Sequence, residues 1–335
     1  MPNRLRVWAG ALLAGILALP FSPARAGTAG EVAGFGPNPG DLRMFQYRPD
    51  SLRSPAPLVV ALHGCQQTAS DYARQAGWMQ QADRRGVVLL LPEQRAANNR
   101  QRCFNWFRPE STDRDRGEAG SIRQMIARTQ ADYPIDPRRI YVAGLSAGGA
   151  MAAVLLADYP ELFAGGAIVA GIPYGCASGL PSALRCQLWG RDLEPAEWGD
   201  LVRRATAGIE PEPRAWPPVS IWQGDSDWAV DPDNARELLE QWTALHGIDP
   251  KAAVGDTGKE YSHQIYRDAA GRPKVEIYLI VGMGHGQPID PGPGETQCGT
   301  PAGIMDRPAS LETARLLGIA NLFEVEIAAL DPSRN

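Results

Sequence analysis

The chain has 335 residues, of which 44% are hydrophobic and 21% charged, and its formal net charge is −5. This composition is that of a folded globular protein and excludes a disordered or fibrous one. The arginines are scattered and the net charge is negative, so the sequence offers no basic surface that would neutralise phosphates, and nucleic acid is not expected as a partner.

The N-terminus has the pattern of a secretory signal peptide. Arg4 and Arg6 precede an apolar stretch over residues 7–19, and the small residues of Ala24-Arg25-Ala26 follow. The apolar stretch is shorter than the roughly 20 residues that a transmembrane helix needs. We therefore expect cleavage after Ala26, no membrane span, a secreted or periplasmic location, and a single domain over residues 27–335.

Short apolar runs bounded by glycine or proline predict buried parallel strands. They cover residues 58–62, 87–91, 139–143, 166–170 and 219–223. Between them, helical patterns cover residues 70–84, 118–131, 147–159 and 231–245. A strand followed by a helix, repeated in this way, specifies a mostly parallel, doubly wound α/β sheet.

The end of the chain and one internal stretch complete the predicted architecture. Residues 274–281 predict a last strand, paired in a hairpin with residues 262–268 across Gly271-Arg272, and residues 310–323 predict a closing helix. Residues 173–218 do not fit the alternation, because they are rich in proline and glycine and contain three tryptophans. We expect this stretch to be an inserted cap or lid.

Five cysteines follow the predicted leader, namely Cys65, Cys103, Cys176, Cys186 and Cys298. An oxidising compartment favours pairing them, with one left over. Cys65 and Cys103 each come just after a predicted strand, at what should be the same edge of the sheet, and we expect them to form a disulfide. Neither the cysteines nor the four histidines have the close spacing of a zinc site, so no metal or other cofactor is expected.

The pentapeptide Gly144-Leu145-Ser146-Ala147-Gly148 stands between a predicted strand and a predicted helix. This setting is that of the nucleophile elbow, a strained turn that exposes a serine hydroxyl. Small neighbours are needed because the strand and the helix approach each other closely there. We expect Ser146 to be a nucleophile; the structural alternative is an idle serine in a glycine-rich turn.

A serine hydroxyl becomes nucleophilic when a base takes its proton, and in this arrangement the acid and the base follow the serine in the chain. Asp225 and Asp227 lie in the loop after the strand over residues 219–223. We predict Asp227 as the acid, because Asp225 comes at the sharp exit of the strand, where an Asx turn is typical.

His285 is the predicted base, because it lies between glycines directly after the last predicted strand. His246 ends a predicted helix, His263 lies in a predicted strand, and His63 precedes the elbow, so each is a poorer candidate.

The turn Leu62-His63-Gly64-Cys65-Gln66 leaves the first clear strand. Backbone N–H groups at such a turn, and directly after the nucleophile, can hold a developing oxyanion. We expect the N–H groups of Cys65 and Ala147 to form this oxyanion hole, with His63 holding the loop. The alternative is an ordinary strand-to-loop turn.

Several stretches together resemble the poly(3-hydroxybutyrate) depolymerase family of esterases, which is related to feruloyl and acetylxylan esterases. They are Leu62-His63-Gly64-Cys65-Gln66-Gln67, Cys103-Phe104-Asn105-Trp106-Phe107, the elbow at Ser146, Gly171-Ile172-Pro173-Tyr174-Gly175 and Gly282-Met283-Gly284-His285-Gly286. The resemblance spans roughly residues 41–323. It implies an α/β-hydrolase fold and a serine esterase with Ser146 as nucleophile, Asp227 as acid and His285 as base.

The sequence departs from the family in two places. The run His285-Gly286-Gln287-Pro288 lacks the tryptophan that usually follows the histidine in the family. The sequence ends a dozen residues beyond Phe323, whereas many secreted depolymerases carry a linker and a polymer-binding domain there. We therefore expect soluble oligomers and small esters to be more accessible than crystalline granules.

The expected activity is hydrolysis of carboxylic esters, of poly(3-hydroxybutyrate) or its oligomers, through an acyl-enzyme. Trp106 and Trp228 lie in loops that either face the substrate and offer it apolar surface or simply pack the loops. A feruloyl or acetylxylan-type carbohydrate esterase would use the same triad. A non-catalytic binding protein of the same fold is the alternative from another class.

Overall fold

The computed structural model describes residues 27, 29–52, 54–207, 215–289 and 298–299. The strands are β1 (Gly30–Val32), β2 (Arg43–Tyr47), β3 (Ala56–Leu62), β4 (Val88–Glu93), β5 (Ile135–Leu145), β6 (Gly165–Val169), β7 (Val219–Gly224), β8 (Val254–Thr257), β9 (Tyr261–Arg267), β10 (Pro273–Ile280), β11 (Gly286–Gln287) and β12 (Cys298–Gly299). The helices are α1 (Ala69–Gln75), α2 (Trp78–Arg85), α3 (Pro109–Thr112), α4 (Gly117–Asp132), α5 (Ala147–Asp158), α6 (Leu180–Trp189), α7 (Pro195–Ala205) and α8 (Asp233–His246).

The main sheet has the strand order β1-β2-β4-β3-β5-β6-β7-β10-β9-β8. Its central strands, from β4 to β10 in that order, run parallel, and the strands at both edges pair antiparallel. All residues of β3, β4, β6 and β7 are buried, as parallel strands covered on both faces must be. The predicted doubly wound, mostly parallel α/β sheet is therefore confirmed.

The alternation of side chains along β3 shows how the two faces are covered. Leu58, Val60 and Leu62 pack into a core with residues of α4, α5 and α8. Val59 and Ala61 point to the other face and pack with residues of α1 and α2. Because both faces are apolar, the strand reads as a continuous hydrophobic run in the sequence.

The predicted strands are confirmed with small differences in their ends, and β5 is longer than predicted because it begins at Ile135. The predicted hairpin is also confirmed: β9 and β10 are antiparallel, and Gly271 between them has a φ of +77°. The edge strands β1, β2 and β8 were not predicted.

The helix predicted over residues 70–84 is wrong as a single helix. Helix α1 ends at Gln75, and α2 begins at Trp78. Gly77 between them has a φ of +72°, a conformation that breaks a right-handed helix and that glycine adopts without strain. Trp78, the first residue of the second helix, is buried.

The stretch over residues 173–218 contains α6 and α7 between β6 and β7, and residues 208–214 within it are not described. Trp198 of α7 is buried and its indole N–H donates to Glu237 Oε2 on α8, whereas Trp189 of α6 is exposed. That the stretch acts as a cap or lid stays a prediction.

The cysteines form two disulfides among the described residues. Cys65 pairs with Cys103, as predicted, and Cys176 pairs with Cys186, which was not predicted. Cys298 falls in β12, of which the side chains are not described. The predicted leader over residues 1–26 and the predicted helix over 310–323 lie outside the described residues.

Helix α5 ends in a buried acid. Asp158 is 1% exposed, and within the described structure its Oδ2 has no hydrogen-bond partner. Burial, together with the nearby charge of Asp113, raises the pKa of Asp158 to about 8, and a hydrogen bond with the Tyr174 side chain opposes the rise. Burial therefore favours the neutral form of this carboxyl group.

Candidate active site

Ser146 stands in a sharp turn between β5 and α5. Its backbone has a φ of +58° and a ψ of −121°, which is strained for a residue with a side chain. The turn is tight on both sides: a β-carbon on Gly144 would overlap the carbonyl of Gly148, and one on Gly148 would overlap the carbonyl of Leu62. The Ser146 N–H donates to Val169 O at 2.9 Å, which fastens the turn to β6.

Asp227 is held in the loop after β7 by four hydrogen bonds to its carboxylate. Its Oδ1 accepts from the N–H groups of Ala229 and Val230, both at 2.9 Å. Its Oδ2 accepts from Gln223 Nε2 at 2.9 Å and faces His285 Nδ1 at 2.8 Å. Both the Asp227 and the His285 side chains are buried. Because carboxylate oxygens accept hydrogen bonds, the contact with Oδ2 is made by an Nδ1–H on the imidazole.

Asp225, the other acid of this loop, has a different role. Its side chain is exposed, and its Oδ1 accepts from the Gly282 N–H at 2.7 Å and from the Ser226 hydroxyl at 2.9 Å. The Ser226 N–H in turn donates to Met283 O at 3.1 Å. Asp225 therefore ties the loop after β7 to the loop after β10, where His285 lies.

The loop that carries His285 is also anchored on its other side. Tyr72 of α1 is fully buried, and its hydroxyl donates to Gln287 Oε1 at 2.7 Å. Gln287 is two residues beyond His285 and is buried as well. The imidazole is thus positioned from both ends of its loop.

The structure brings Asp227 and His285 into contact and places Ser146 at the same, carboxyl edge of the sheet. Among the described residues, no hydrogen bond joins Ser146 Oγ to His285. Such contacts are often long in a ligand-free site and tighten when a substrate is bound.

The other histidines have structural partners. His246 ends α8, its Nε2 is 3.2 Å from Pro217 O, and burial lowers its pKa to about 4. His263 of β9 stacks on Tyr278 with ring centroids 3.9 Å apart and lies 3.2 Å from Glu276 Oε2. Neither contacts Asp225 or Asp227.

The turn after β3 lies against the elbow. A β-carbon on Gly64 would be 3.6 Å from Ser146 Cβ. Among the described residues, the N–H of Cys65 has no acceptor, and the N–H of Ala147, the first residue of α5, has none within the helix. Two N–H groups on either side of the serine are thus available to a ligand.

His63 supports this turn with hydrogen bonds from both of its ring nitrogens. It is fully buried, its Nδ1 donates to Gly64 O at 2.7 Å, and its Nε2 accepts from the Gln94 N–H at 3.1 Å. Burial lowers the pKa of His63, so the ring is neutral and uses both nitrogens in the backbone contacts.

Sequence reasoning missed a buried carboxyl group, that of Glu118 in α4, which binds Gln94 and Asn105. Glu118 accepts from the backbone N–H and the side-chain amide of Asn105, at 2.8 and 2.6 Å, and from Gln94 Nε2 at 2.6 Å. Burial raises the pKa of Glu118 to about 7, against these three hydrogen bonds. The sequence signal was an acid on the buried face of the predicted helix over residues 118–131.

The two predicted substrate-binding tryptophans differ in exposure. Trp106 is half-buried and packs edge-on against Phe107 with centroids 5.5 Å apart. Trp228 directly follows Asp227 and is 63% exposed. The described residues contain no group of three His, Cys, Asp or Glu side chains that could hold a metal ion, and within them no helix is long and apolar enough to cross a bilayer.

Comparisons with known proteins identify the relatives of this chain. The family model described as esterase PHB depolymerase matches residues 45–262. Poly(3-hydroxyalkanoate) depolymerase C of Paucimonas lemoignei is 48% identical over 271 residues, which are 81% of this chain and 64% of that protein. An acetylxylan esterase of Coprinopsis cinerea is 33% identical over 271 residues, 78% of this chain and 70% of that protein.

Among solved structures, an acetyl xylan esterase from Aspergillus awamori superposes with a TM-score of 0.71 at 24% identity, covering 77% of this chain and 94% of that one. This likeness confirms the predicted α/β-hydrolase fold. The family match spans more than half of the sequence and includes both the turn after β3 and the elbow. The chain therefore belongs to the PHB depolymerase family of esterases, as its sequence motifs indicated.

Proposed function

We propose that the chain is a secreted serine hydrolase that cleaves carboxylic esters of the poly(3-hydroxybutyrate) type, as polymer or as oligomers, with Ser146, His285 and Asp227 as its triad. The observation that carries the proposal is the buried Asp227–His285 pair, with Oδ2 and Nδ1 2.8 Å apart, at the sheet edge where the elbow presents Ser146. A buried acid–imidazole pair beside a strained serine is the arrangement that acyl transfer needs.

In the first step, the imidazole acts as a base. Its Nδ1–H stays bonded to Asp227, which leaves the Nε2 lone pair to take the proton of Ser146 as Oγ attacks the ester carbonyl carbon. The carbonyl oxygen becomes an oxyanion, which the N–H groups of Cys65 and Ala147 receive. Each such donor contributes about 3 kcal/mol to lowering the barrier. The C–O bond to the alcohol then breaks, and His285 gives its proton to the departing oxygen.

In the second step, water replaces the alcohol. His285 takes a proton from the water as its oxygen attacks the acyl-enzyme carbonyl, and the bond to Ser146 Oγ breaks with return of that proton. The products are one alcohol and one carboxylic acid. Asp227 stabilises the imidazolium in both steps without itself being protonated.

The hydroxyalkanoate substrate is supported by the relatives. The Paucimonas depolymerase is 48% identical to this chain, and the Coprinopsis acetylxylan esterase is 33% identical. In this proposal Trp106 and Trp228 offer apolar surface to the acyl chain. Carbohydrate esters are the competing substrates, because the same triad would hydrolyse them.

The secreted location is supported by one observation and one prediction. The described residues include two disulfides, and disulfides persist in oxidising compartments. The predicted leader over residues 1–26 would direct the chain to such a compartment.

The test is turnover of a substrate panel by the oxidised protein without residues 1–26: short p-nitrophenyl esters, soluble 3-hydroxybutyrate oligomers, amorphous polymer, methyl ferulate and acetylated xylan. We expect selective turnover of the oligomers or polymer. Preference for ferulate or acetylated sugars would replace this substrate class with the carbohydrate one. If no ester is turned over, the proposal that the chain is an ester hydrolase is refuted, and a binding protein is favoured.

A pair of serine variants separates the triad from a general effect on the site. Ser146→Ala should lower turnover by about three orders of magnitude or more, because the nucleophile is lost. Ser226→Ala, which removes an exposed hydroxyl from the loop that carries Asp227, should change it by about threefold at most. Equal effects of the two substitutions would contradict the mechanism.

A further inference from the structure

The N–H group of Cys65, one of the two candidate oxyanion donors, belongs to the peptide group that joins Gly64 to Cys65. A trans peptide group is planar, so its carbonyl and its N–H point in opposite directions. The carbonyl of Gly64 accepts from His63 Nδ1 at 2.7 Å. Whatever fixes the position of the His63 ring therefore also fixes the direction of the Cys65 N–H.

The His63 ring is held on its other side by residues that follow β4. Its Nε2 accepts from the backbone N–H of Gln94 at 3.1 Å. The fully buried ring of Phe104 packs against it, with ring centroids 4.9 Å apart. Gln94 Nε2 also donates to Cys103 O at 3.3 Å, beside the disulfide to Cys65. The direction of the Cys65 N–H thus depends on the positions of Gln94 and of the segment around Phe104.

One buried side chain, that of Glu118 in the first turn of α4, binds both of these segments. Its Oε1 accepts from Gln94 Nε2 and from Asn105 Nδ2, both at 2.6 Å. Its Oε2 accepts from the backbone N–H of Asn105 at 2.8 Å. Asn105 directly follows Phe104 in the chain. Glu118 therefore holds the residue that donates to His63 and the neighbour of the ring that packs against His63.

Backbone groups fix the direction of both amides that face Glu118. Gln94 Oε1 accepts from the Arg95 N–H at 2.9 Å, so the Gln94 amide turns its Nε2 to Glu118. Asn99 Oδ1 accepts from the backbone N–H two residues further along, at 2.9 Å. Asn99 Nδ2 therefore donates to Asn105 Oδ1, at 3.1 Å, and Asn105 Nδ2 turns to Glu118. The position of Glu118 thus faces three donors, and only a side chain with two acceptor oxygens satisfies all of them.

We propose that Glu118 is a positioning residue of the oxyanion hole, which keeps the Cys65 N–H directed at the substrate carbonyl oxygen. It acts through Gln94 and Asn105 and does not itself contact the substrate. The inference rests on the proposed function and adds a residue to its machinery. Its physical basis is that an oxyanion donor lowers the barrier only when it already points at the position of the developing charge.

The substitution Glu118→Gln tests the proposal with almost no change of side-chain volume. Its new NH₂ group must face a donor, so at least one of the three contacts is lost and the segment it held is displaced. The matched control is Glu237→Gln, since Glu237 is also a buried glutamate within a helix. Among the described residues, Glu237 contacts Trp198 and Arg236 and has no contact with the turn after β3.

Three quantities are measured for the wild type and both variants. They are kcat and KM for p-nitrophenyl butyrate, the affinity for a trifluoromethyl ketone and the affinity for the unreactive amide analogue of the ester. The ketone forms a tetrahedral adduct with the serine and places an oxyanion in the hole, as the transition state does. The amide keeps its planar, uncharged carbonyl and reports binding of the ground state.

We expect Glu118→Gln to lower kcat about tenfold or more and to leave KM within about twofold. The affinity for the ketone should fall by the same factor as kcat/KM, and the affinity for the amide should stay unchanged. Glu237→Gln should change kcat by about threefold at most. A residue that only stabilises the fold would lower the unfolding temperature without separating the ketone from the amide.

Three results would overturn the proposal. They are a kcat and a ketone affinity of Glu118→Gln equal to those of the wild type, equal weakening of the ketone and the amide, and an equal loss of kcat in Glu237→Gln. If Glu118→Gln does not fold, Asn105→Ala decides the question, because it removes one side-chain donor and keeps the backbone contact with Glu118. It should weaken the ketone about threefold or more and leave the amide unchanged, and equal effects on the two would overturn the proposal.

The wild type separates this inference from the proposed function. A wild type that hydrolyses no ester would refute the proposed function. An active wild type with an equally active Glu118→Gln variant would refute the positioning role of Glu118 alone.

Discussion

Replacing Asp227 with asparagine places an NH₂ group where every neighbour is a donor. The Oδ1 position must stay an oxygen, because it accepts from the N–H groups of Ala229 and Val230 at 2.9 Å. The new amide nitrogen therefore faces His285 Nδ1 and Gln223 Nε2. The imidazole can meet this NH₂ group only with an unprotonated Nδ1, so its proton moves to Nε2.

An imidazole that carries its proton on Nε2 cannot take the proton of Ser146. The same wrong tautomer in a serine protease lowers kcat about 10⁴-fold, which is about 5.5 kcal/mol of barrier. We expect a loss of this size for Asp227→Asn with p-nitrophenyl butyrate at pH 7, and little change in KM, because the acid does not contact the substrate.

Asp225→Asn is the matched control, since it lies in the same loop. Its Oδ1 can still accept from the Gly282 N–H, which is the contact that ties the two loops. We expect kcat to fall about fivefold at most, and thermal unfolding of both variants would check that the fold is kept. Retention of more than about a tenth of kcat in Asp227→Asn, or an equal loss in Asp225→Asn, would refute the assignment of the acid.

Three further predictions concern groups around the site. The pKa of Asp158 is raised to about 8 in the folded chain, so its contribution to the free energy of unfolding is full below the unfolded pKa near 4 and is lost as the pH rises through 8, a fall of about 5 kcal/mol. Denaturant titrations at pH 4.5 and 8.5 should show a smaller fall in the free energy of unfolding for Asp158→Asn than for the wild type. An equal fall in the two proteins would contradict the argument. Replacing Cys65 and Cys103 with alanine removes a disulfide between residues 38 apart and should lower the free energy of unfolding by about 4 kcal/mol. The double variant should change kcat more than KM, because the turn carries a proposed oxyanion donor. A kcat equal to that of the wild type would show that the turn takes no part in the mechanism. Tyr72→Phe deletes the hydroxyl that donates to Gln287 and should lower the free energy of unfolding by about 1–3 kcal/mol. It should also reduce kcat and leave KM unchanged. Steady-state kinetics and thermal unfolding of the same variant would show whether the losses of stability and of kcat occur together.

The elements with one regular hydrophobic pattern along their length were predictable from the sequence. The buried strands β3, β4, β6 and β7 read as apolar runs because helices cover both their faces. The elbow was predictable because its glycines have no space for a β-carbon. Asp227 contacts His285, whereas Asp225 binds the backbone at Gly282 rather than within its own turn.

What the sequence did not reveal depends on contacts between distant residues. Strand β2 alternates buried and half-buried residues and exists only because β4 offers it an edge. Glu118 reads as an ordinary helix residue, and only the fold brings it to Gln94 and Asn105. The Cys176–Cys186 pair depends on how α6 turns back on the preceding loop, which no local pattern specifies.

The hydrogen bonds between α6 and the loop after Asp227 have a consequence for how this enzyme can be altered. Gln187 holds Ala229 and Asp231, and the residue between them, Val230, donates its N–H to the acid. The segment that contains α6 is therefore not an exchangeable module. A chimera that takes residues 173–207 from a relative therefore needs a residue at position 187 that can still donate to Ala229 O, or residues 219–234 from the same parent.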